Sequence, residues 1–295
     1  MHLTIKIGCA TFYSDTSVLH DISQSCKPYS APDIQTEAFG LPACAASPFQ
    51  SGSFTCSVDA GASVNCPLVT SLCPHSNGTH TECVGHVLPS KVTLSDIDIA
   101  RNSGLMPALL LTVTLVPLKE SGDDYAPGSP DDLVVSFGAL QGGLNALAAG
   151  SGGVVFPASS LACLSGGALI LRTRPSSFHK FLGRWTDTNP PYLTPTAVSL
   201  ALALGVRHLL VDLPSVDKEK DGGQLLSHRA WWELPPAGEP SPQPSRPLST
   251  RTITELCSVG DDVVDGPYLL NLQVAPLDLD AAPSRPILHP LVLGT

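Results

Sequence analysis

The residues at 105–118, LMPALLLTVTLVPL, form a nearly continuous apolar run that is rich in Leu, Val and Thr. A run of this kind is typical of a β-strand that is buried on both faces. Such a strand needs packed layers on either side of its sheet, so the run predicts a large layered core. With 295 residues, 43% of them hydrophobic, the chain can build that core and lies near the upper limit for one domain.

A strand–helix–strand unit is predicted farther along the chain. The segments GGALILRTRP (166–175) and VRHLLVDLPS (206–215) are strand candidates. Between them, LTPTAVSLALALG (193–205) begins with Thr and Pro, carries apolar residues at helical spacing and ends with Gly, which are the start and stop signals of a helix. We expect the two strands to be parallel and joined by a right-handed crossover.

The remaining pattern also contains more strand than helix. Short apolar runs broken by Pro, Gly and Ser predict strands in several further places. These places are LTIKI near the start, SFTCSV (53–58), TITELCSV (252–259) and GPYLLNLQVAPLDL (266–279). A surface loop, a turn and an exposed tether are expected at KESGDDYAPGSPDD (119–132), SGG (151–153) and ELPPAGEPSPQPSRPLST (233–250). We therefore predict an α/β fold, a mixed β-sheet core with flanking helices, in a single domain over residues 1–295.

Charge and apolar patterning exclude several classes of protein. Charged residues make up only 14% of the chain and the net charge is -10, so no basic surface is available for the phosphates of a nucleic acid. No window approaches the roughly 18 apolar residues of a membrane span, and the N-terminus has no apolar run of signal-peptide length. The nine cysteines lack paired spacing, which fits a reducing compartment. We expect a cytoplasmic protein with no nucleic-acid partner and no membrane partner.

The stretch PHSNGTHTECVGH at 74–86 places three histidines and a glutamate within twelve residues. In the simplest interpretation Ser76, Asn77 and Gly78 form a tight turn between strands, and the histidines are merely polar neighbours. In a second interpretation Cys73 and Cys83 join the histidines in a structural zinc site, although such sites normally use two ligand pairs separated by a longer spacer.

A third interpretation makes His80 and Glu82 ligands of one metal ion. The two residues alternate with Thr81, so in an extended segment their side chains lie on the same side. Imidazole and carboxylate together suit Zn or Mn, and an open coordination position makes such a site catalytic. His86 then stands near the metal without necessarily binding it.

The segment GTHTE at 78–82, with His86 four residues later, resembles the signature HxGTHxDxPxH of the bacterial-type kynurenine formamidase and cyclase family of metal-dependent hydrolases. Further segments resemble the family pattern in the same order, from about residue 20 to 290. They are HDIS (20–23), GASVN (61–65), GALILRT (167–173), GVRHLLVDLPSVD (205–217), HR (228–229), TEL (254–256) and APSRPIL (282–288). The resemblance implies a swivelling β/β/α-like fold for the mixed α/β chain.

The resemblance also implies a divalent metal site, Zn or Mn, and its ligands. These ligands are two residues of the signature together with a later histidine and glutamate: His80, Glu82, His228 and Glu255. The final histidine of the signature, which serves as the catalytic acid or base in the family, matches His86.

Three departures from the signature concern its ligands and the loop that follows. The first ligand histidine falls on Ser76, whereas His75 lies one residue earlier. We therefore expect a bulge at Ser76 and Asn77 that turns His75 towards the metal. Glu82 replaces the usual aspartate, and Val84 replaces a proline.

Four polar and aromatic residues outside the signature have ordinary interpretations. Asp212 and Asp217 can be capping or turn residues as readily as functional ones. Trp231 and Trp232 follow His228 closely and are expected in the core or in a pocket wall.

The implied ligand set indicates a hydrolase. A divalent ion lowers the pKa of water from 15.7 towards roughly 7 and polarises a carbonyl oxygen, while a histidine can take and return a proton. The resemblance implies a small-molecule amide substrate, an N-formyl aryl amine such as N-formylkynurenine of tryptophan catabolism or a cyclic amide, and we expect a homo-oligomer, a dimer. The alternative is a non-catalytic member that uses the same fold as a binding or scaffold module.

Overall fold

The computed structural model describes residues 1–8, 10–89, 92–97, 105–150, 165–176, 183–239 and 250–294. Most of the regular structure in these ranges is β. The strands are β1 (His2–Ile7), β2 (Ala10–Asp15), β3 (His20–Asp21), β4 (Ala45–Pro48), β5 (Gln50–Ser51), β6 (Phe54–Thr55), β7 (Pro67–Ser71), β8 (His80–Glu82), β9 (Met106–Thr114), β10 (Val116–Pro117), β11 (Leu133–Val135), β12 (Ala168–Arg174), β13 (Tyr192–Leu193), β14 (His208–Val211), β15 (Thr252–Glu255), β16 (Gly266–Val274), β17 (Ala281–Pro290) and β18 (Val292–Leu293).

Helices are few and short in the described ranges. The α-helices are α1 (Pro74–Asn77), α2 (Leu118–Ser121), α3 (Phe137–Ala148), α4 (Pro195–Ala203) and α5 (Leu226–Trp231). Single 3₁₀ turns occur at Pro32–Ile34, Val58–Ala60, Val84–His86 and Leu94–Asp96. No helix of the described ranges combines the length and the apolarity that a bilayer crossing requires.

The largest sheet closes on itself. Its order is β16-β9-β12-β14-β15-β8-β17, and the pairing of β17 with β16 completes the ring, while β3 pairs with the outside edge of β17. Strands β9, β12, β14 and β15 are mutually parallel, whereas β8 is antiparallel to both of its neighbours. Closure leaves few free strand edges in this sheet. The prediction of a mixed α/β fold is confirmed.

Both faces of the central strands are buried, as the run at 105–118 predicts. Along β9, Ala108 and Leu110 belong to a cluster inside the barrel, whereas Leu109 and Leu111 belong to a second cluster that includes residues of α3 and α4. Each fully buried Leu of this kind contributes about 1.5–3 kcal/mol relative to an exposed one. The sheet therefore forms the centre of the hydrophobic core.

The predicted strand–helix–strand unit is also present. Strand β12 pairs in parallel with β14, and α4 connects them. The Oγ1 of Thr194 accepts a hydrogen bond from the backbone N–H of Ala197, and Pro195 occupies the first helical turn. Gly205 follows the helix with φ +76°, a conformation that favours glycine. The capping residues therefore act as their sequence positions indicate.

Two local predictions need correction, and one helix was not predicted. The segment 119–132 is not only a surface loop, because it begins within α2 and its Tyr125 and Asp132 are buried. Within SFTCSV only Phe54–Thr55 is a strand. Helix α3, which the sequence reading did not anticipate, packs against β9. The predicted turn at 151–153 and the part of the predicted tether at 240–249 lie outside the described residues.

His208 at the start of β14 makes the stability of the fold depend on pH. Its side chain is 4% exposed, and burial together with the charge of Arg207 lowers its pKa from 6.5 to about 4. The unfolded chain therefore takes up the proton first, so stability present above pH 6.5 is lost as the pH falls towards 4, by about 1.4 kcal/mol per unit. Urea unfolding at pH 6.5 and pH 5 should show about 2 kcal/mol of this loss in the native chain and not in His208→Asn. Equal losses in both proteins would contradict this assignment.

Candidate metal centre

Strand β8 places two of the predicted ligands side by side. His80 and Glu82 alternate with Thr81, whose Oγ1 points to the opposite face and lies 2.7 Å from Oγ1 of Thr254. In the antiparallel register His80 is directly opposite Glu255 of β15, so their side chains share a face. The Nε2 of His80 lies 3.4 Å from Oε2 of Glu255. The three ligand groups therefore converge at the centre of the sheet, and all are buried.

The single turn of α1 brings His75 to the same place. Its Nδ1 lies 3.3 Å from Oε2 of Glu82. The predicted bulge at Ser76 and Asn77 is wrong, because these residues are helical rather than a distorted strand. The Oγ of Ser76, at the position of the signature's first histidine, is hydrogen-bonded to the backbone of Ala38 and does not face the centre.

Gly78 connects α1 to β8 where the chain passes close to another segment. A Cβ at this position would lie 2.6 Å from the backbone oxygen of Gln24. Any other residue would push these two backbones apart. Glycine is therefore required here for the close approach that aligns His75 with His80.

Helix α5 supplies the fifth predicted ligand from the distant C-terminal half. The Nε2 of His228 lies 2.9 Å from Oε1 of Glu82 and 3.6 Å from Oε1 of Glu255. Its other ring nitrogen, Nδ1, lies 2.6 Å from Oδ2 of Asp217. The same carboxylate of Asp217 accepts hydrogen bonds from the backbone N–H groups of Ser227 and His228. Asp217 thus fixes both the start of the helix and the direction of the imidazole.

His86, the predicted acid or base, lies on the 3₁₀ turn that follows β8. Its Nδ1 is 3.3 Å from Oδ2 of Asp280 and 3.9 Å from Oε2 of Glu82. Its side chain is 28% exposed, whereas Glu82 is completely buried. His86 therefore borders the ligand cluster on a side that solvent or a small molecule can reach.

Two buried polar atoms at the centre lack hydrogen-bond partners among the described residues. They are Nε2 of His80 and Oε2 of Glu82. His80 Nδ1 is 3.1 Å from the carbonyl oxygen of Gly78, which can only accept, so Nδ1 carries a proton and, in the neutral imidazole, Nε2 has the free lone pair. That lone pair faces carboxylates. In that form the contact is repulsive, and a metal ion between the groups would remove the repulsion.

The distances within the cluster also fit a divalent ion. Ligand atoms that share one ion with bonds of about 2.1 Å lie roughly 3.0–3.4 Å apart. The 3.4 Å between His80 and Glu255 and the 3.3 Å between His75 and Glu82 lie in that range. The contacts of His228 with Glu82 and Glu255, 2.9 and 3.6 Å, lie just outside it. Imidazole and carboxylate donors suit Zn or Mn. Ligand atoms lie within 4.8 Å of one another in two sets that share Glu82, one with His75 and His86 and the other with His80 and Glu255. His228 contacts Glu82 and Glu255. The five predicted ligands, hereafter the candidate metal centre, therefore fit the implied group in donor type: His75, His80, Glu82, His228 and Glu255.

The electrostatics of the cluster favour a positive charge at its centre. Burial opposes the charged form of Glu82, yet the neighbouring His86 and His228 hold its pKa well below the usual range. Burial likewise opposes the charged form of His228, but Glu82 and Asp217 raise its pKa well above the usual value. For His75 the contacts with Asp280 and Glu82 outweigh burial and raise the pKa to about 10. The buried carboxylates therefore require cationic neighbours, which protons or a metal ion can provide.

The structure also argues against the other two interpretations of the stretch at 74–86, the polar turn and the cysteine-containing zinc site. The histidines are not merely polar neighbours of a turn. His80 is completely buried and contacts Glu255, and His75 and His86 contact Glu82. The candidate metal groups among the described residues contain no cysteine. Cys83 is instead buried, which raises the pKa of its thiol to about 11.

Two carboxylates of the site were not assigned from the sequence. In the sequence Asp217 was interpreted as a possible capping residue, and it does cap α5, but it also contacts His228. Asp280 was not predicted to belong to the site. Asp212 bonds the backbone and hydroxyl of Thr173, a structural contact. Trp231 and Trp232 are buried as expected, and the ring of Trp232 lies 5.6 Å from that of His228.

Residues 3–218 match the family described as "Putative cyclase". The chain belongs to this family. The matched range contains His75, His80, Glu82 and His86 of this cyclase-family chain, and it ends before His228 and Glu255. No curated protein matches the cyclase-family chain at a significant level.

Solved structures resemble the cyclase-family chain over almost its whole length. An isatin hydrolase bound to the product analogue thioisatinate has a TM-score of 0.56 at 16% identity, over 94% of this chain and 92% of that one. Isatin hydrolase A from Labrenzia aggregata, bound to benzyl benzoate, has 0.55 at 12% identity, over 92% and 93%. A "predicted metal-dependent hydrolase" from Bacillus stearothermophilus has 0.52 at 14% identity, over 92% and 98%. At such identities these likenesses show the fold.

Replacing His75 tests whether the helical turn of α1 has restored the displaced ligand. We expect His75→Ala to weaken metal affinity, because Nδ1 of His75 lies beside Oε2 of Glu82. Loss of an outer-shell partner usually weakens affinity 10- to 100-fold, and loss of a ligand should cost at least as much. Competition with a chelator measures this, and His20→Ala, a half-buried histidine on β3, is the control. Unchanged retention would make His75 an ordinary loop residue.

Proposed function

We propose that this chain is a metal-dependent hydrolase that cleaves an amide bond of a small molecule. The observation that carries the proposal is the free Nε2 of His80, which is completely buried and faces Glu255 and Glu82. A divalent cation between these donors would satisfy the buried imidazole and carboxylates together. Membership of the cyclase family supports the same conclusion.

The residues around the centre have distinct tasks. When bound, a divalent ion supplies Lewis acidity, lowers the pKa of water and polarises a carbonyl oxygen. The residues that would hold it are His80, Glu82, Glu255, His228 and His75, and Asp217 orients His228. To His86, on the more open side, we assign the transfer of a proton from water to the leaving nitrogen of the amide.

The substrate class is taken from the resemblance to the kynurenine formamidase and cyclase family. An N-formyl aryl amine such as N-formylkynurenine, or a cyclic amide, contains a carbonyl group that a bound ion would polarise. One structural relative is named an isatin hydrolase, and isatin contains a cyclic amide. N-formylkynurenine and isatin are therefore the first compounds to test, with Zn or Mn as the ion.

Metal analysis combined with an amidase assay tests the proposal. The purified chain should retain about one equivalent or more of Zn or Mn, and a chelator should remove metal and amide hydrolysis together. Adding back the ion should restore both. A chain that holds no ion and cleaves neither compound would instead be a scaffold that keeps the fold.

A further inference from the structure

Asp280 forms a bridge between two histidines of the site. Its Oδ2 lies 2.9 Å from Nε2 of His75 and 3.3 Å from Nδ1 of His86. The two imidazole rings are stacked at a tilt, with centroids 4.3 Å apart, so one carboxylate oxygen reaches both. This contact joins the last long strand of the chain to the turns on either side of β8.

The main chain holds Asp280 firmly in this position. It immediately precedes β17, and Ala281 is the register partner of Glu82 in the antiparallel pair of β17 and β8. The carbonyl oxygen of Asp280 accepts a hydrogen bond of 2.9 Å from the backbone N–H of Cys83. The backbone next to the carboxylate is thus part of the sheet that carries the metal centre.

The contact with Asp280 determines which nitrogen of each imidazole ring carries a proton. An ionised carboxylate only accepts, so each ring nitrogen that faces Asp280 must carry a proton. An imidazole has to be neutral to bind a metal ion or to act as a base, and it then has one such proton. The free lone pairs are then Nδ1 of His75, which lies 3.3 Å from Oε2 of Glu82, and Nε2 of His86 on the other side of its ring.

The bridge is not needed to satisfy buried groups. The side chains of His75, His86 and Asp280 are 18%, 28% and 38% exposed, so water could solvate each of them. Ion pairs that remain this accessible contribute little to stability. Orientation of the two rings is the larger effect of the contact.

We propose that Asp280 is a positioning residue that fixes the tautomers of two histidines at once. It leaves the lone pair of His75 on Nδ1, beside Glu82, where it would bind a metal ion, and the lone pair of His86 on Nε2, where it could take a proton. The role of His86 rests on the proposed function. The displaced histidine increases the need for such a residue, because His75 reaches the centre from a single helical turn, one residue before the position of Ser76.

Asp280→Ala and Asp280→Asn test this role, with Asp278→Ala as the matched control. Asp278 lies two residues earlier, and its carboxylate accepts from the hydroxyl of Thr93. In zinc-loaded protein with ¹⁵N-labelled histidine, the native chain should show His86 protonated at Nδ1 and not at Nε2. Asp280→Ala should change this to a mixture or to the other tautomer, whereas Asp278→Ala should leave it unchanged.

Metal affinity and kinetics supply independent readouts. Chelator competition should show a 10- to 100-fold weaker affinity for zinc in Asp280→Ala, since that is the usual effect of losing an outer-shell partner. The turnover number of zinc-saturated Asp280→Ala should fall by a similar factor while KM changes little. Asp280→Asn, which keeps one oxygen acceptor, should recover part of both losses.

Three results would overturn the proposal. One is an unchanged His86 tautomer in Asp280→Ala, another is an unchanged zinc affinity, and the third is complete loss of zinc, which would make Asp280 itself a ligand. The tautomer and zinc measurements do not depend on catalysis. If the native chain cleaves no amide but both change as expected, the positioning role stands and the hydrolase proposal fails. If the native chain cleaves amides and neither changes, only the role of Asp280 fails.

Discussion

His80→Ala should lose the metal ion and amide hydrolysis together. His80 is completely buried at the centre of β8, and its Nε2 faces carboxylates without a hydrogen-bond partner. No neighbouring side chain can replace it, because the adjacent positions of the strand point to the opposite face. Loss of the ion removes several kcal/mol of transition-state stabilisation, so the rate should fall on the order of 10³-fold or more.

Metal content and activity of His80→Ala have to be measured on the same sample. His208→Asn is the matched control, because His208 is also buried but lies at the start of β14 and contacts Thr252 rather than the metal centre. The control should retain its metal. A His80→Ala protein that is folded and keeps the full metal content would show that the ion, if any, binds elsewhere.

His86→Ala should separate chemistry from metal binding. His86 is more exposed than the ligands, and its Nδ1 is nearer to Asp280 than to Glu82. If it transfers protons, its loss should lower the turnover number about 10²- to 10⁴-fold, the usual contribution of general acid–base catalysis. Metal content and folding should remain close to those of the native chain.

The competing possibility for His86 is a direct bond to the ion. Its ring nitrogen lies within 4.8 Å of ligand atoms of His75 and Glu82, so the geometry alone permits this. Metal loss in His86→Ala as complete as in His80→Ala would establish a ligand instead of an acid or base. His20→Ala controls for the loss of a half-buried imidazole elsewhere, and it should change neither quantity.

Local sequence patterns were sufficient for much of the fold. The apolar run at 105–118 predicted β9 and its two buried faces, because a strand between two layers needs apolar residues at odd and even positions alike. Thr194, Pro195 and Gly205 predicted the ends of α4, since capping depends on neighbours only a few residues away. Helix α3 was not anticipated, and its sequence FGALQGGLNALA contains two adjacent glycines that are poor helix formers. Packing against β9 stabilises that helix.

The sequence alone also determined part of the site. Alternation around Thr81 placed His80 and Glu82 on one face, because side chains in a strand alternate with a period of two. His228 and Glu255 came from a family resemblance and not from local pattern. The tertiary structure alone decided how His75 reaches the centre and that Asp280 joins it to His86. The reason is physical: Asp280 and His75 are 205 residues apart, and only the pairing of β17 with β8 brings them within hydrogen-bond distance.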